Sequence, residues 1–200
     1  GAPTWRQWPF IAIDLARRTQ QAEDGHRLIH WVKHNRRSPQ VPHALAVGRS
    51  LASTEAAARE LAVELTEIAP LTNAWARLYE DLAQHSDAID QVASWATRHV
   101  EQTQVAFVLR VLVLHGHCDG LRLSRQWLTY HGGVPVASFL VEALIDSGDL
   151  ETSHRWLETQ LDARGWAHAY QRTLKRNHEP GRQAQLTLLG IAWLDGREDQ

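Results

Sequence analysis

Apolar residues recur at helical spacing along almost the whole chain, and turn formers interrupt them about every dozen positions. That pattern admits short helices joined by tight turns and little else. No stretch alternates with period two, and β-branched residues do not cluster between turn signals, so a sheet is not expected. The predicted runs are 5–19, 22–36, 42–52, 54–69, 73–85, 87–100, 104–116, 120–131, 135–147, 150–163, 166–177 and 182–194. Asn73 and Asp87 stand where N-caps are wanted. Gly132-Gly133 before Pro135, Gly148-Asp149, and Glu179-Pro180-Gly181 mark three further boundaries.

The runs pair. Leu15, Leu51, Leu82, Leu112, Leu144 and Leu174 recur at intervals of 36, 31, 30, 32 and 30, each near the end of a first helix. Leu61, Trp95, Trp127, Trp156 and Leu188 follow inside the second helices. The two clearest units are 107–132 and 139–165, where an apolar helix, a short polar turn and a helix with a tryptophan-leucine pair succeed one another. A two-helix unit cannot bury its apolar face alone, so stacked neighbours would complete the core, with tryptophans filling the gaps between pairs. The expected fold is therefore all-α: a right-handed α-solenoid of about six antiparallel helix pairs, in one domain over residues 1–200. An irregular all-helical domain is the alternative.

The segment from Phe139 to Glu151, with its Gly148-Asp149 turn, resembles helix-turn-helix repeats of the tetratricopeptide and pentatricopeptide kind. Asp119-Gly120 is a looser match to the same turn. The spacing departs from the 34 residues of a tetratricopeptide unit, and Ser153 stands near the place where such repeats carry a small residue, often alanine. The resemblance covers about 107–165. It implies a curved scaffold for peptides or protein surfaces, or, in the pentatricopeptide case, for single-stranded RNA. Stacks of this kind also serve as sensor or partner-binding arms of larger regulators.

Composition narrows the classes further. Apolar residues make up 44% and charged residues 22% of the 200, which excludes a wholly disordered chain. Cys118 is the only cysteine and has no intrachain partner for a disulfide. The most apolar stretch, 105–116, is broken by Arg110 and is too short to span a bilayer. With no secretory leader in view, a cytoplasmic setting and no membrane insertion are expected. Methionine is absent even at position 1, so the chain is expected to be a piece of a longer protein. The net charge of −2 is uneven: residues 1–49 carry eight basic against three acidic groups (+5), residues 50–101 three against nine (−6), and residues 102–200 ten against eleven (−1). A continuous track for a nucleic-acid backbone is disfavoured by that middle third.

The short signatures of nucleotide-binding loops, zinc proteases, serine hydrolases and calcium loops are missing, and no catalysis, metal or cofactor is expected. Two histidine groups merit notice among twelve histidines. His26, His30 and His34 fall at i, i+4 and i+8 opposite Leu28, Trp31 and Val32, which reads as a solvated face. His115, His117 and Cys118, with His131 later in the unit, are of zinc-binding type, and Asp119 would be a fourth ligand. Their HxHC spacing is no standard finger and reads as a polar turn. Glu60, Glu64 and Glu67 form an acidic face.

Arg17, Arg18, Lys33, Arg36 and Arg37 form a basic strip near the start. The function expected is a non-catalytic scaffold for a protein or peptide, contacted by the polar positions of first helices: Arg77, Glu80, Arg110, Glu142, Arg172 and Lys175. Single-stranded RNA or other nucleic-acid binding is the first alternative, and a helical-domain enzyme the second.

Overall fold

The computed structural model describes residues 9–198. Twelve α-helices fill them, and no strand occurs among the described residues. They are α1 (Pro9–Thr19), α2 (Ala22–His34), α3 (Val41–Ser50), α4 (Glu55–Glu64), α5 (Asn73–Leu82), α6 (Ile89–Arg98), α7 (Ala106–Leu114), α8 (Cys118–His131), α9 (Ala137–Ser147), α10 (Leu150–Thr159), α11 (Trp166–Arg176) and α12 (Pro180–Glu198). The all-α class expected from periodicity is what the chain adopts, and no helix among the described residues is long and apolar enough to cross a membrane. Contacts divide the chain into two compact units that meet between Trp95 and Ala96.

Unit 1 is organised around α3, which packs on α1, α2, α4 and α5. Its interior gathers Leu28, Val32, Val41, Leu45, Leu61, Leu65, Trp75, Tyr79, Leu82 and Trp95, all buried. Each such side chain removed from water contributes about 1.5–3 kcal/mol, which offsets the entropy of ordering these short helices. The two glycines of this unit's helices mark close crossings: a Cβ on Gly25 would meet Leu51 and Thr54, and one on Gly48 would meet Ile29 and Ala58.

Unit 2 is organised around α9, which touches α7, α8, α10 and α11. The composition of α7 and α9 explains that centrality. AFVLRVLVL and ASFLVEALIDS are apolar on most of their circumference, so they need neighbours on several sides. In contrast α8, α10 and α11 bury one stripe each.

Both central helices stop in the same way. Gly116 (φ +67°) and Gly148 (φ +90°) take the left-handed conformation that a glycine tolerates without a Cβ clash. The next amide then turns back: His117 N–H donates to Leu112 O and Asp149 N–H to Leu144 O, both at 2.9 Å, closing a Schellman turn. The residue after each glycine immediately caps the next helix. The His117 Nδ1 accepts from Asp119 N–H, and the Asp149 carboxylate accepts from Thr152 N–H. Where α5 starts, the structure differs from the sequence expectation. Thr72 is the cap, in extended conformation and accepting from Trp75 N–H, while Asn73 is already the first helical residue. Asp87 reaches Arg59 at 3.4 Å.

A second recurring device joins consecutive pairs. Trp95 Nε1–H donates to Ala69 O at 3.1 Å, Trp127 Nε1–H to Gln102 O at 2.8 Å, and Trp156 Nε1–H to Gly132 O at 2.8 Å. Each tryptophan lies about one turn before the end of an even-numbered helix. Each acceptor is a carbonyl in the chain just after the preceding even-numbered helix, Ala69 coming after the short 3-10 turn at Leu65–Glu67. The tryptophans expected to fill gaps are thus buried, and each indole N–H is satisfied by a backbone carbonyl of the connecting chain.

Candidate functional site

Within unit 2, α7 packs on α9 and α9 on α11, and one face of this row is open to solvent. Positions i, i+3 and i+7 of a helix share a face. On α7 those positions are Phe107, Arg110 and Leu114, and on α9 they are Phe139, Glu142 and Asp146. On α11 His168, Arg172, Lys175 and Arg176, spaced i, i+4, i+7 and i+8, line one face.

Phe139 is 53% exposed and Leu114 45% exposed, although both stand in helices that are otherwise deeply buried. Arg110 lies beside Phe107 and Leu114 on the exposed side of α7 and has no hydrogen-bond or ion-pair partner among the described residues. Lys175 is equally exposed and unpaired. Between them sits an ion network. The Arg172 guanidinium donates to Glu142 Oε2 at 2.8 Å and to Asp146 Oδ2 at 2.9 Å. Arg176 reaches the other oxygen of Asp146 at 3.3 Å, and His168 Nε2 stands 3.8 Å from Glu142. Four permanently cationic groups (Arg110, Arg172, Lys175, Arg176) thus face two carboxylates (Glu142, Asp146), and the two unpaired cations flank the network.

The six residues expected to contact a partner therefore divide. Arg110 and Lys175 are free to do so. Glu142 and Arg172 are joined to each other, an arrangement that depends on α11 lying against α9 and is invisible in register alone. Arg77 and Glu80 form an i, i+3 pair at 3.5 Å on α5 of unit 1. Of the basic strip, Arg18 pairs with Asp14 on α1 at 2.9 Å, and Arg36 bridges to Glu64 of the acidic face at 2.6 Å. Arg17, Lys33 and Arg37 are exposed. Phe139 stands outside the six residues that register selects. A phenylalanine inside FLVEALI reads as core, yet its face is shared with Glu142 and Asp146, and that was the signal available.

The histidine groups resolve into local roles. His26 and His34 are exposed, and their Nδ1 atoms lie 2.7 and 2.8 Å from the carbonyl oxygens of Ala22 and His30, one turn back on α2. His117, Cys118 and Asp119 do bring one potential ligand atom each within 4.8 Å. Asp119, however, accepts two bonds from Arg122, at 2.6 and 3.0 Å, and His117 Nδ1 serves as the cap of α8. His131 turns away, its Nε2 donating to Glu101 O at 2.8 Å, and His115 is the exposed residue that ends α7.

One further group is electrostatically distinct. The Asp149 carboxylate is nearly enclosed, with 5% of its side chain exposed, between α8 and α10. Burial alone would raise its pKa. Hydrogen bonds from the Arg125 guanidinium, the Thr152 hydroxyl and the Thr152 amide, together with the Arg125 charge, hold it below the usual carboxylate range. Arg125 is raised in return by its hydrogen bond to, and attraction for, Asp149. No protein-family model, curated protein or solved structure matches the chain.

Proposed function

We propose that this chain is a non-catalytic interaction scaffold that holds an acidic, apolar-anchored peptide or protein segment on the open face of α7, α9 and α11. The observation that carries the reading is that two neighbouring helices expose an apolar ring and an unpaired cation, Phe139 on α9 and Arg110 on α7. Large apolar side chains and arginines are the groups that dominate binding energy at protein interfaces. The backbone that presents them is already ordered by the packed core, so binding has only the side chains to order. The excess of cations over carboxylates on this face favours an acidic partner.

An α-solenoid of antiparallel pairs is the architecture that best rationalises such a face. It is supported by the side-by-side rows α1, α3, α5 and α7, α9, α11, by the matching Schellman turns at Gly116 and Gly148, and by the three tryptophan-to-carbonyl bonds. The hub position of α9 supports the irregular helical domain instead. Single-stranded RNA is the second reading for the same face, because an exposed aromatic ring can stack on bases and arginine can meet phosphate. Glu142 and Asp146 oppose it by repelling phosphate.

The test is affinity capture from a lysate of the source organism at moderate salt, comparing the chain with the double variant Arg110→Glu/Phe139→Ser. Both positions are exposed, so the variant should fold like its parent. A stoichiometric protein retained by the parent and lost by the variant is the expected result. RNA recovered in its place, released as salt is raised, would move the nucleic-acid reading to first place. Identical recoveries from both would sink the assignment of this face.

A further inference from the structure

Three histidines stand one turn apart on α2, and backbone carbonyls orient two of them. His26, His30 and His34 occupy positions i, i+4 and i+8 of one exposed face. The His26 Nδ1 lies 2.7 Å from Ala22 O, and the His34 Nδ1 lies 2.8 Å from His30 O. A carbonyl oxygen only accepts, so each Nδ1 carries a proton and donates it. In the neutral imidazole the lone pair is then on Nε2. His30 has no hydrogen-bond partner on its ring among the described residues. Its ring is in contact with that of His34, the centroids 4.4 Å apart and the planes tilted by 45°.

A metal-binding imidazole coordinates through one nitrogen and donates its other N–H to a carbonyl or carboxylate, which holds the ring and its tautomer. His34 already makes that outer bond. Metal–nitrogen distances of about 2.0–2.1 Å put the two nitrogens on one ion about 3 Å apart. Rings with centroids 4.4 Å apart reach that separation when the unbonded His30 ring turns. The pair stands at the C-terminal end of α2, where the negative end of the helix dipole favours a cation. Lys33 in the same turn opposes it, but it is exposed and can swing into solvent. An open cavity of about 650 Å³ lined by His30, Trp31 and His34 among others leaves room for water ligands. The trio of His117, Cys118 and Asp119 is set up in the opposite sense. There the His117 Nδ1 accepts from Asp119 N–H, so its proton is on Nε2, and ligation by either nitrogen disturbs the cap of α8.

From this the geometry points to a two-histidine chelate at His30 and His34 for a borderline divalent transition-metal ion, with water completing the coordination. Imidazole nitrogen suits Cu²⁺, Ni²⁺ and Zn²⁺, of which Cu²⁺ binds tightest, whereas Mg²⁺ and Ca²⁺ require oxygen ligands. His26 is not a ligand. It stands two turns from His34, and no ring contact joins it to His30 among the described residues. The site belongs to unit 1 and is independent of the face formed by α7, α9 and α11 in unit 2.

The test is a Cu²⁺ titration of the full chain carrying Cys118→Ser, which removes the exposed thiol that this ion would attack. Affinity is read by calorimetry in excess Mg²⁺, and the site is located by paramagnetic broadening of ¹⁵N-labelled protein. The tightest ion should bind once per chain, and amides in the C-terminal half of α2 should broaden before those near His117. His30→Ala and His34→Ala should each weaken binding about tenfold or more, and His26→Ala less than about twofold. All three side chains are exposed, so the variants should keep the circular dichroism spectrum of their parent. Affinity indifferent to both His30→Ala and His34→Ala would overturn the inference. So would an equal loss from His26→Ala, which would make the stripe a diffuse metal-attracting surface, or first broadening around His117.

Discussion

Replacing Asp149 separates two contributions that meet at one carboxylate. It caps α10 by accepting from Thr152 N–H at 3.3 Å, and it anchors Arg125 of α8 at 2.9 Å while accepting from the Thr152 hydroxyl at 2.8 Å. Loss of an N-cap costs about 1 kcal/mol. Loss of a charge-assisted bond at a carboxylate that is 5% exposed adds about 1 kcal/mol, kept low because the Arg125 side chain is 55% exposed and can be rehydrated. Asp149→Ala should therefore cost about 2 kcal/mol. With a urea dependence of about 2 kcal/mol per molar, that is a midpoint lower by about 1 M. Asn is as good a cap as Asp, so Asp149→Asn should retain the cap and lose only the charge, costing about half as much.

The pH dependence carries a definite sign. The folded-state pKa of Asp149 is depressed, so its contribution is fully present above the unfolded aspartate value of about 3.9 and is lost as pH falls through the lower folded value. The gap between the parent and Asp149→Asn, measured by urea unfolding followed by circular dichroism, should be constant from pH 7 to 5 and narrow on approaching pH 3. A gap that stays the same at pH 3, or an Asp149→Ala midpoint equal to that of the parent at pH 7, would refute this account of the residue.

Two other perturbations test the packing directly. Gly120→Ala places a Cβ within 2.9–3.0 Å of the Leu112 and Val113 backbone, which cannot swing aside, so it should destabilise by about 1–2 kcal/mol despite the better helix propensity of alanine. Gly181→Ala, in open space near the start of α12, should be neutral or stabilising in the same thermal-melting assay. Arg172→Ala strands Glu142 and Asp146 one turn apart and should cost about 1 kcal/mol. Adding Glu142→Gln should recover part of that loss, and a double-mutant cycle showing no coupling would mean the network is not formed.

The parts of the fold that show in the sequence are those whose physics is local. Helix periodicity and the boundaries at Gly132-Gly133 and Gly148-Asp149 each depend on residues within a few positions of one another. The Thr72 cap was displaced by one residue because Thr and Asn both suit that position, and the choice rests on which takes the extended conformation (φ −136°, ψ 162°). What was not legible depends on adjacency between helices. Leucine and tryptophan spacing suggested repeating pairs but not that Trp127 would find the carbonyl of Gln102, which has no side-chain signature. Register places Arg172 and Glu142 among the solvent-facing contacts, and both are on the open face. Only the packing of α11 on α9 makes each the other's partner, leaving Arg110 and Lys175 as the free cations. Phe139 was hidden by its neighbours Leu140 and Val141, which do belong to the core.

The backbone character of the tryptophans' acceptors accounts for why the spacing between helix pairs drifts. An interface built from matched side chains would fix both partners and the length between them. Here an indole meets a backbone carbonyl in the chain after the preceding even-numbered helix, so the acceptor's side chain is unconstrained, and Ala69, Gln102 and Gly132 have nothing in common but a peptide oxygen. The separation between donor and acceptor varies from 24 to 26 residues without loss of the bond. A turn can gain or lose a residue provided the tryptophan still reaches a carbonyl that water would otherwise have to satisfy. One bulky donor near the end of α6, α8 and α10 thus reaches back to the chain after the preceding even-numbered helix, while the exposed positions of the odd-numbered helices, Arg110 and Phe139 among them, stay available for a partner.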